Sequence, residues 1–196
     1  MARRGSTMQR CRVARYSENN RLPVFRTQIQ AQLIQKFSDL QICSRLQNNL
    51  DKNGFVTPTP VQAQTIPVLL EGRDVVATAQ TGTGKTLAFS IPLIESLAAV
   101  PRSKTIKALI LSPTRELAMQ IDEAFRQIAD GMHIRTVVVV GGMSEKAQLR
   151  DIQAGAEVVI ATPGRLCDYL DRGLVDLSRT TKVVLDEADR MLDMGF

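Results

Sequence analysis

The stretch "DVVATAQTGTGKTLAFS", Asp74 to Ser90, decides how the chain is read. Small and β-branched residues lead into a loop with glycines at 82 and 84. Lys85-Thr86 then opens a segment with helical apolar spacing. The order is strand, loop, helix. Glycine lets the backbone turn its N–H groups around an anion with no Cβ in the way. The following helix adds unpaired N–H groups and the positive end of its dipole. Such a loop cradles phosphates, with Lys85 reaching the β- and γ-phosphates and the Thr86 hydroxyl on Mg2+. The general pattern G-x4-G-K-[ST] asks for Gly at 79, where this chain has Ala79. Ala is small enough to keep the turn, so the match is to a sub-pattern. The bland alternative is a Gly-rich turn that merely precedes Lys-Thr.

Outward from that stretch the pattern alternates. Helical spacing is expected over "LQICSRLQNNL" (40–50) and "TPVQAQTIPVLLEG" (59–72), then in the segments starting at Lys85, Thr114, Ser144 and Gly164. Strands are expected at "DVVATA" (74–79), "KALILS" (107–112), "RTVVVV" (135–140), "EVVIAT" (157–162) and "KVVLDE" (182–187). These strands are continuous apolar runs, so helices should cover both faces of a parallel sheet: an α/β fold. Ligands of such sheets gather at the carboxyl ends of the strands.

The strand ends carry the candidate chemistry. Asp186, at the tip of "KVVLDEAD", suits an acid that holds Mg2+ beside Thr86, and Glu187 can orient or deprotonate an attacking water. A solvated acidic helix start is the competing reading. "LSPTRELA" and "IATPGRL" share a layout of hydroxyl, Pro, one residue, Arg: Ser112-Pro113-Thr114-Arg115 and Thr162-Pro163-Gly164-Arg165. A hydroxyl N-cap followed by Pro starts a helix and leaves free N–H groups beside an Arg, a second kind of phosphate site. With the Gly141-Gly142 turn, two such sites could track successive phosphates of one nucleic-acid strand. Two well-capped helices with no ligand remain the alternative. Aromatic residues for base stacking are scarce, so contact would be to backbone and blind to base sequence.

Bulk properties bound these readings. The 196 residues are 44% hydrophobic and 23% charged, as in a globular domain with a tail. No run approaches the roughly 18–20 apolar residues of a membrane span. Residues 1–36 hold eight Arg or Lys against one acid, net +7, while the remaining 160, with 17 basic and 19 acidic, stand at −2. The basic start reads as a leader, a phosphate-binding arm or a presequence. Cys11, Cys43 and Cys167 form no CxxC pair, which fits a reduced compartment, the cytoplasm, with no disulfide or metal role. His133 is the single histidine and suggests no site.

Six motifs then resemble one family in order and approximate spacing. "AQTGTGKT" (79–86), "PTRELA" (113–118), "GG" (141–142), "TPGR" (162–165) and "DEAD" (186–189) are those of the DEAD-box RNA helicases. "GFVTPTPVQ" (54–62) is similar to their adenine-recognition motif, with Phe37 at the place of an isolated upstream aromatic. The wording "VVLDEADRMLDMGF" looks most like bacterial members. The resemblance implies a RecA-like P-loop domain with ATP and Mg2+ as cofactors. Ala79, Gln80, Thr81, Gly82, Thr83, Gly84, Lys85 and Thr86 would hold the nucleotide, Gln62 would bond the adenine N6 and N7 edge, and Phe37 would pack near the base. Lys85, Asp186 and Glu187 would be catalytic, with Thr86 and Asp186 on the metal. Pro113, Thr114, Arg115, Gly142, Thr162, Pro163, Gly164 and Arg165 would contact RNA phosphates and riboses.

In that family the first domain continues past DEAD through a further strand, which lies between the phosphate-loop strand and the DEAD strand. A second RecA-like domain with an arginine finger follows. The expectation is therefore a domain incomplete at its C-terminus, divided into a basic leader (1–34), an adenine-recognition region (35–64) and a truncated RecA-like domain (65–196). The alternatives are an inactive ATP- or RNA-binding module and a DNA-directed motor of the wider superfamily.

Overall fold

Four short apolar runs pair into one parallel sheet: β1 (Ala108–Leu111), β2 (Thr136–Val139), β3 (Val158–Ala161) and β4 (Lys182–Leu185), ordered β2-β3-β1-β4. The computed structural model describes residues 34–196, within a unit spanning Ala31–Phe196. The basic leader, but for its last residue, and Cys11 lie outside the described residues. Parallel neighbours need a crossover, and each connection supplies a helix. These are α4 (Arg115–Ile128), α5 (Glu145–Gln153) and α6 (Pro163–Asp171). Ahead of β1 come a 3-10 turn (Phe37–Asp39), α1 (Ser44–Lys52), α2 (Pro60–Leu70) and α3 (Lys85–Ala98), and the six-residue α7 (Ala188–Asp193) follows β4.

Alternate strand residues feed two cores, because successive side chains point to opposite faces. Ala108, Ile110, Val158 and Ile160 pack with Leu46, Leu50, Ile66, Ile91, Ile94, Ile121 and Phe125, from α1 to α4. Leu109, Val159, Val137, Val139 and Ala161 pack with Leu166 and Tyr169 of α6, and Leu149 and Ile152 of α5 lie against them. Helices thus cover both faces, as continuous apolar runs require. Under the sheet, Lys107 and Glu157 form an ion pair at 2.7 Å with both side chains largely buried.

Two expectations need correction. Residues 74–79 form no strand: they make no ladder bond, and Val76 is fully exposed. A strand is a property of a pair, and β1 already has β3 and β4 on its two sides. β4 ends the sheet among the described residues, with Val183 61% and Leu185 55% exposed. Second, the two Pro-x-Arg layouts are not equivalent. Helix α6 starts at Pro163 after Thr162, as the spelling suggests. In the other, Ser112 extends the ladder by donating its N–H to Ala161 O at 3.0 Å. The cap is Thr114, whose Oγ1 accepts from Leu117 N at 3.3 Å, so α4 begins two residues later than its Pro113 suggests.

Candidate functional site

The strand register sets out the site. Leu111 is opposite Ala161 on one side and Leu185 on the other, and Val139 is opposite Ala161. One residue further on, Val140, Thr162, Ser112 and Asp186 form a row across the carboxyl edge of the sheet. Every motif noted in the sequence after the phosphate loop starts from this row.

The phosphate loop folds on itself. Gly82 and Gly84 have φ of +85° and +89°, conformations that a Cβ disfavours. The Lys85 ammonium donates to Ala79 O at 2.8 Å, and Thr83 Oγ1 donates to Gln80 O at 2.7 Å. Thr86 follows Lys85 in the first turn of α3. Ala79, Gln80, Thr81 and Lys85 face Glu187, Asp189 and Arg190 across an open cleft of about 430 Å3. Thr81 Oγ1 donates to Glu187 Oε1 at 3.5 Å, so the loop and the DEAD segment meet at one place.

Asp186 is buried at the tip of β4, and its N–H donates to Leu111 O at 2.9 Å. Burial pushes its carboxyl above the ordinary value, the Lys85 charge pulls it down, and neighbouring Glu187 raises it further. A lone buried carboxylate next to an ammonium is chemically suited to a cation bridging it to phosphate oxygens. Glu187 takes φ +51° ahead of α7, and Arg190 Nη1 holds its Oε2 at 3.4 Å. Asp189 belongs to the DEAD motif but carries no expected role, and no sequence signal singles out Arg190 for the cleft. Arg190 shows itself only as the cation three residues after Glu187 on α7.

Gln62 and Phe37 are both buried. The Gln62 amide is buried inside the protein: Oε1 accepts from Thr59 N at 2.8 Å and Nε2 donates to Gly84 O at 2.9 Å. It ties the start of α2 to the end of the phosphate loop. Phe37 is 1% exposed and packs edge-on against Phe55, with ring centroids 6.5 Å apart, while its N–H donates to Val56 O. Its ring lies in the main core and offers no open face to a base.

On the other side of the row, Arg115 lies against the Gly141-Gly142 turn. Gly142 has φ +75°, and a Cβ there would sit 3.0 Å from Arg115 Nη1. Arg165, in the first turn of α6, lies over the Tyr169 ring at 5.5 Å and donates to its hydroxyl at 3.3 Å. Thr162 caps α6 without a side-chain bond, Pro163 is buried, and Gly164 is close to the Phe196 ring. Ser112 lies between Thr162 and Asp186 with its hydroxyl buried and unpartnered. The residues expected at a nucleotide and those expected at RNA therefore share one edge of the sheet.

Comparison with known proteins gives this layout a family. The profile of "DEAD/DEAH box helicase" matches residues 59–196. Over 161 residues, 82% of this chain and 28% of the relative, the chain is 49% identical to "ATP-dependent RNA helicase DeaD" of Mycobacterium tuberculosis. It is 46% identical over 170 residues, 83% of this chain and 21% of the relative, to human "Probable ATP-dependent RNA helicase DDX23". A human relative thus stands alongside bacterial ones, and the bacterial flavour of "VVLDEADRMLDMGF" does not single out a lineage. Among solved structures, a DEAD box protein of Methanococcus jannaschii superposes with a TM-score of 0.76 at 37% identity, over 82% of this chain and 43% of that one. A structure from Sulfolobus tokodaii described as a hypothetical ATP-dependent RNA helicase gives 0.71 at 41% identity, over 78% and 43%. The fold is therefore the RecA-like one of these helicases, although the chain spans only about a fifth to a third of the curated relatives' length. With a profile match over most of its residues, the chain belongs to the DEAD/DEAH box helicase family.

Proposed function

We propose that this chain is the nucleotide-binding part of an ATP-dependent RNA helicase. It binds ATP with Mg2+ and the backbone of single-stranded RNA; the whole protein hydrolyses ATP on RNA and separates short duplexes. The observation that supports this reading is that Lys85 faces Glu187 across one cleft while its charge acts on the buried Asp186, next to Glu187 in sequence. A place in the cytoplasm fits it, and among the described residues no helix is long and apolar enough to cross a membrane.

The roles follow from position. The loop N–H groups and Lys85 take the phosphates, which lie at the start of α3. Thr86 and Asp186 are the residues that would hold Mg2+, which would supply positive charge to the phosphates there. Glu187, held by Arg190 and Thr81, orients the attacking water and takes its proton. Gln62 meets the base with the second N–H and the second lone pair of its amide, one of each being used internally. Arg115, Gly142 and Arg165, with the helix starts at Thr114 and Thr162, take successive RNA phosphates.

Titrating the chain with a fluorescent ATP analogue tests the nucleotide site. Lys85→Ala should weaken binding at least tenfold, in line with loss of a charge-assisted bond, and binding equal to the parent chain would remove the site assignment. Turnover by this chain alone should stay near background, since an arginine finger supplied from elsewhere is worth about 10³–10⁵ in rate. An inactive binding module is the second reading. RNA-stimulated hydrolysis by these 196 residues would overturn the expectation of background turnover and this second reading alike.

A further inference from the structure

The Gly141-Gly142 turn and Arg165 are joined by a buried polar chain that the proposed function does not use. Gln148 of α5 holds both backbone groups of Val140: Oε1 accepts from Val140 N at 3.2 Å and Nε2 donates to Val140 O at 3.1 Å. Its amide stands where the next strand's peptide group would be, closing the outer edge of the sheet just before the turn. Only one orientation of the amide satisfies both bonds. The Tyr169 hydroxyl donates to the same Oε1 at 3.4 Å and accepts from Arg165 Nη1 at 3.3 Å. Gln148 is buried and Tyr169 fully so. The path therefore runs from an Arg on α6 through the interior to the backbone one residue before Gly141.

We infer that Gln148 and Tyr169 are positioning residues that fix Arg165 relative to the glycine turn, so that the two RNA phosphate contacts are set as a unit. This rests on the RNA reading proposed above. Burial of the polar chain in a low-dielectric interior is what gives it leverage. Losing the hydroxyl there removes the one bond that links Arg165 to Gln148, while Gln148 keeps both of its bonds to Val140. The consequence is directional: the Tyr169 hydroxyl, although it touches no RNA, governs RNA affinity through Arg165.

The test is fluorescence anisotropy of labelled oligouridine with the full chain across a salt series, using Tyr169→Phe, Arg165→Ala and the double variant. Tyr169→Phe keeps the ring and its packing, so folding is preserved, and thermal melts check this. Expected results are a two- to tenfold loss of affinity, a shallower dependence on salt as one phosphate contact slackens, and no further loss when Tyr169→Phe is added to Arg165→Ala. A packing role alone would leave the salt slope unchanged. If Tyr169→Phe binds like the parent chain, or weakens Arg165→Ala as much as it weakens the parent, the inference is overturned while the RNA reading stands. If Arg165→Ala binds RNA as well as the parent chain, the RNA reading fails and takes the inference with it.

Discussion

Gly84 shows how tightly single residues are constrained here. A Cβ at this position would come within 2.4 Å of the Gln62 amide nitrogen, on a backbone already at φ +89°. Gly82 has a similar φ, +85°, but open space around it. Gly82→Ala should therefore cost only the left-handed penalty, about 1–2 kcal/mol. Gly84→Ala should cost a further ~1–3 kcal/mol from displacing Gln62. Urea midpoints at unchanged slope would measure the difference, and equal losses would show that the Gln62 contact yields freely. Asp186 makes a second residue-scale prediction. Burial raises its pKa above the unfolded value of about 3.9. Between these two values the folded chain binds more protons than the unfolded one, so stability falls as pH rises through that window. Asp186→Asn removes this loss. In thermal melts the variant should be more stable than the parent chain at pH 7 and show no gain at pH 3, below both values. A gain that persists at pH 3 would point to packing instead of charge.

At the scale of elements, most of the chain was legible. Continuous apolar runs gave β1 to β4, and 3.6-residue spacing gave α1 to α6, because both patterns are local. What failed depended on distant partners. The 74–79 run spells a strand, but no neighbour pairs with it. "SPTR" and "TPGR" are spelled alike, yet Ser112 is held by β3 and Thr114 takes the cap. The bond from Gln62 to Gly84, 22 residues on, is likewise invisible in the sequence, as is the packing of Phe37 against Phe55. The acidic and basic motifs were legible as a set, whereas the place of Arg190 in the cleft emerges only from α7. The two caps give a direct comparison. Thr114→Ala should cost about 1 kcal/mol through the lost bond to Leu117 N. Thr162→Ala, whose hydroxyl makes no cap bond, should cost under about 0.5 kcal/mol. Reversed magnitudes in chemical denaturation would contradict the assigned helix starts.

For the molecule as a whole, the sheet is asymmetric. At the β2 end Gln148 closes the edge and Arg126 reaches Thr136. At the β4 end Val183 and Leu185 stand exposed, and no strand among the described residues pairs with the outer edge of β4. An open apolar strand invites pairing with another chain. The parent chain should therefore self-associate with rising concentration in sedimentation velocity, and Val183→Lys should shift the distribution toward monomer. A concentration-independent monomer for the unaltered chain would show that this edge is already shielded. The lysine of the phosphate loop has a different consequence. Resting on the Ala79 carbonyl, its ammonium has shed part of its water in advance. On the proposed reading, an arriving triphosphate would displace a single neutral acceptor and supply an anionic one, roughly twice as strong a partner. The Ala79 carbonyl would then hold the ammonium again once the ligand departs.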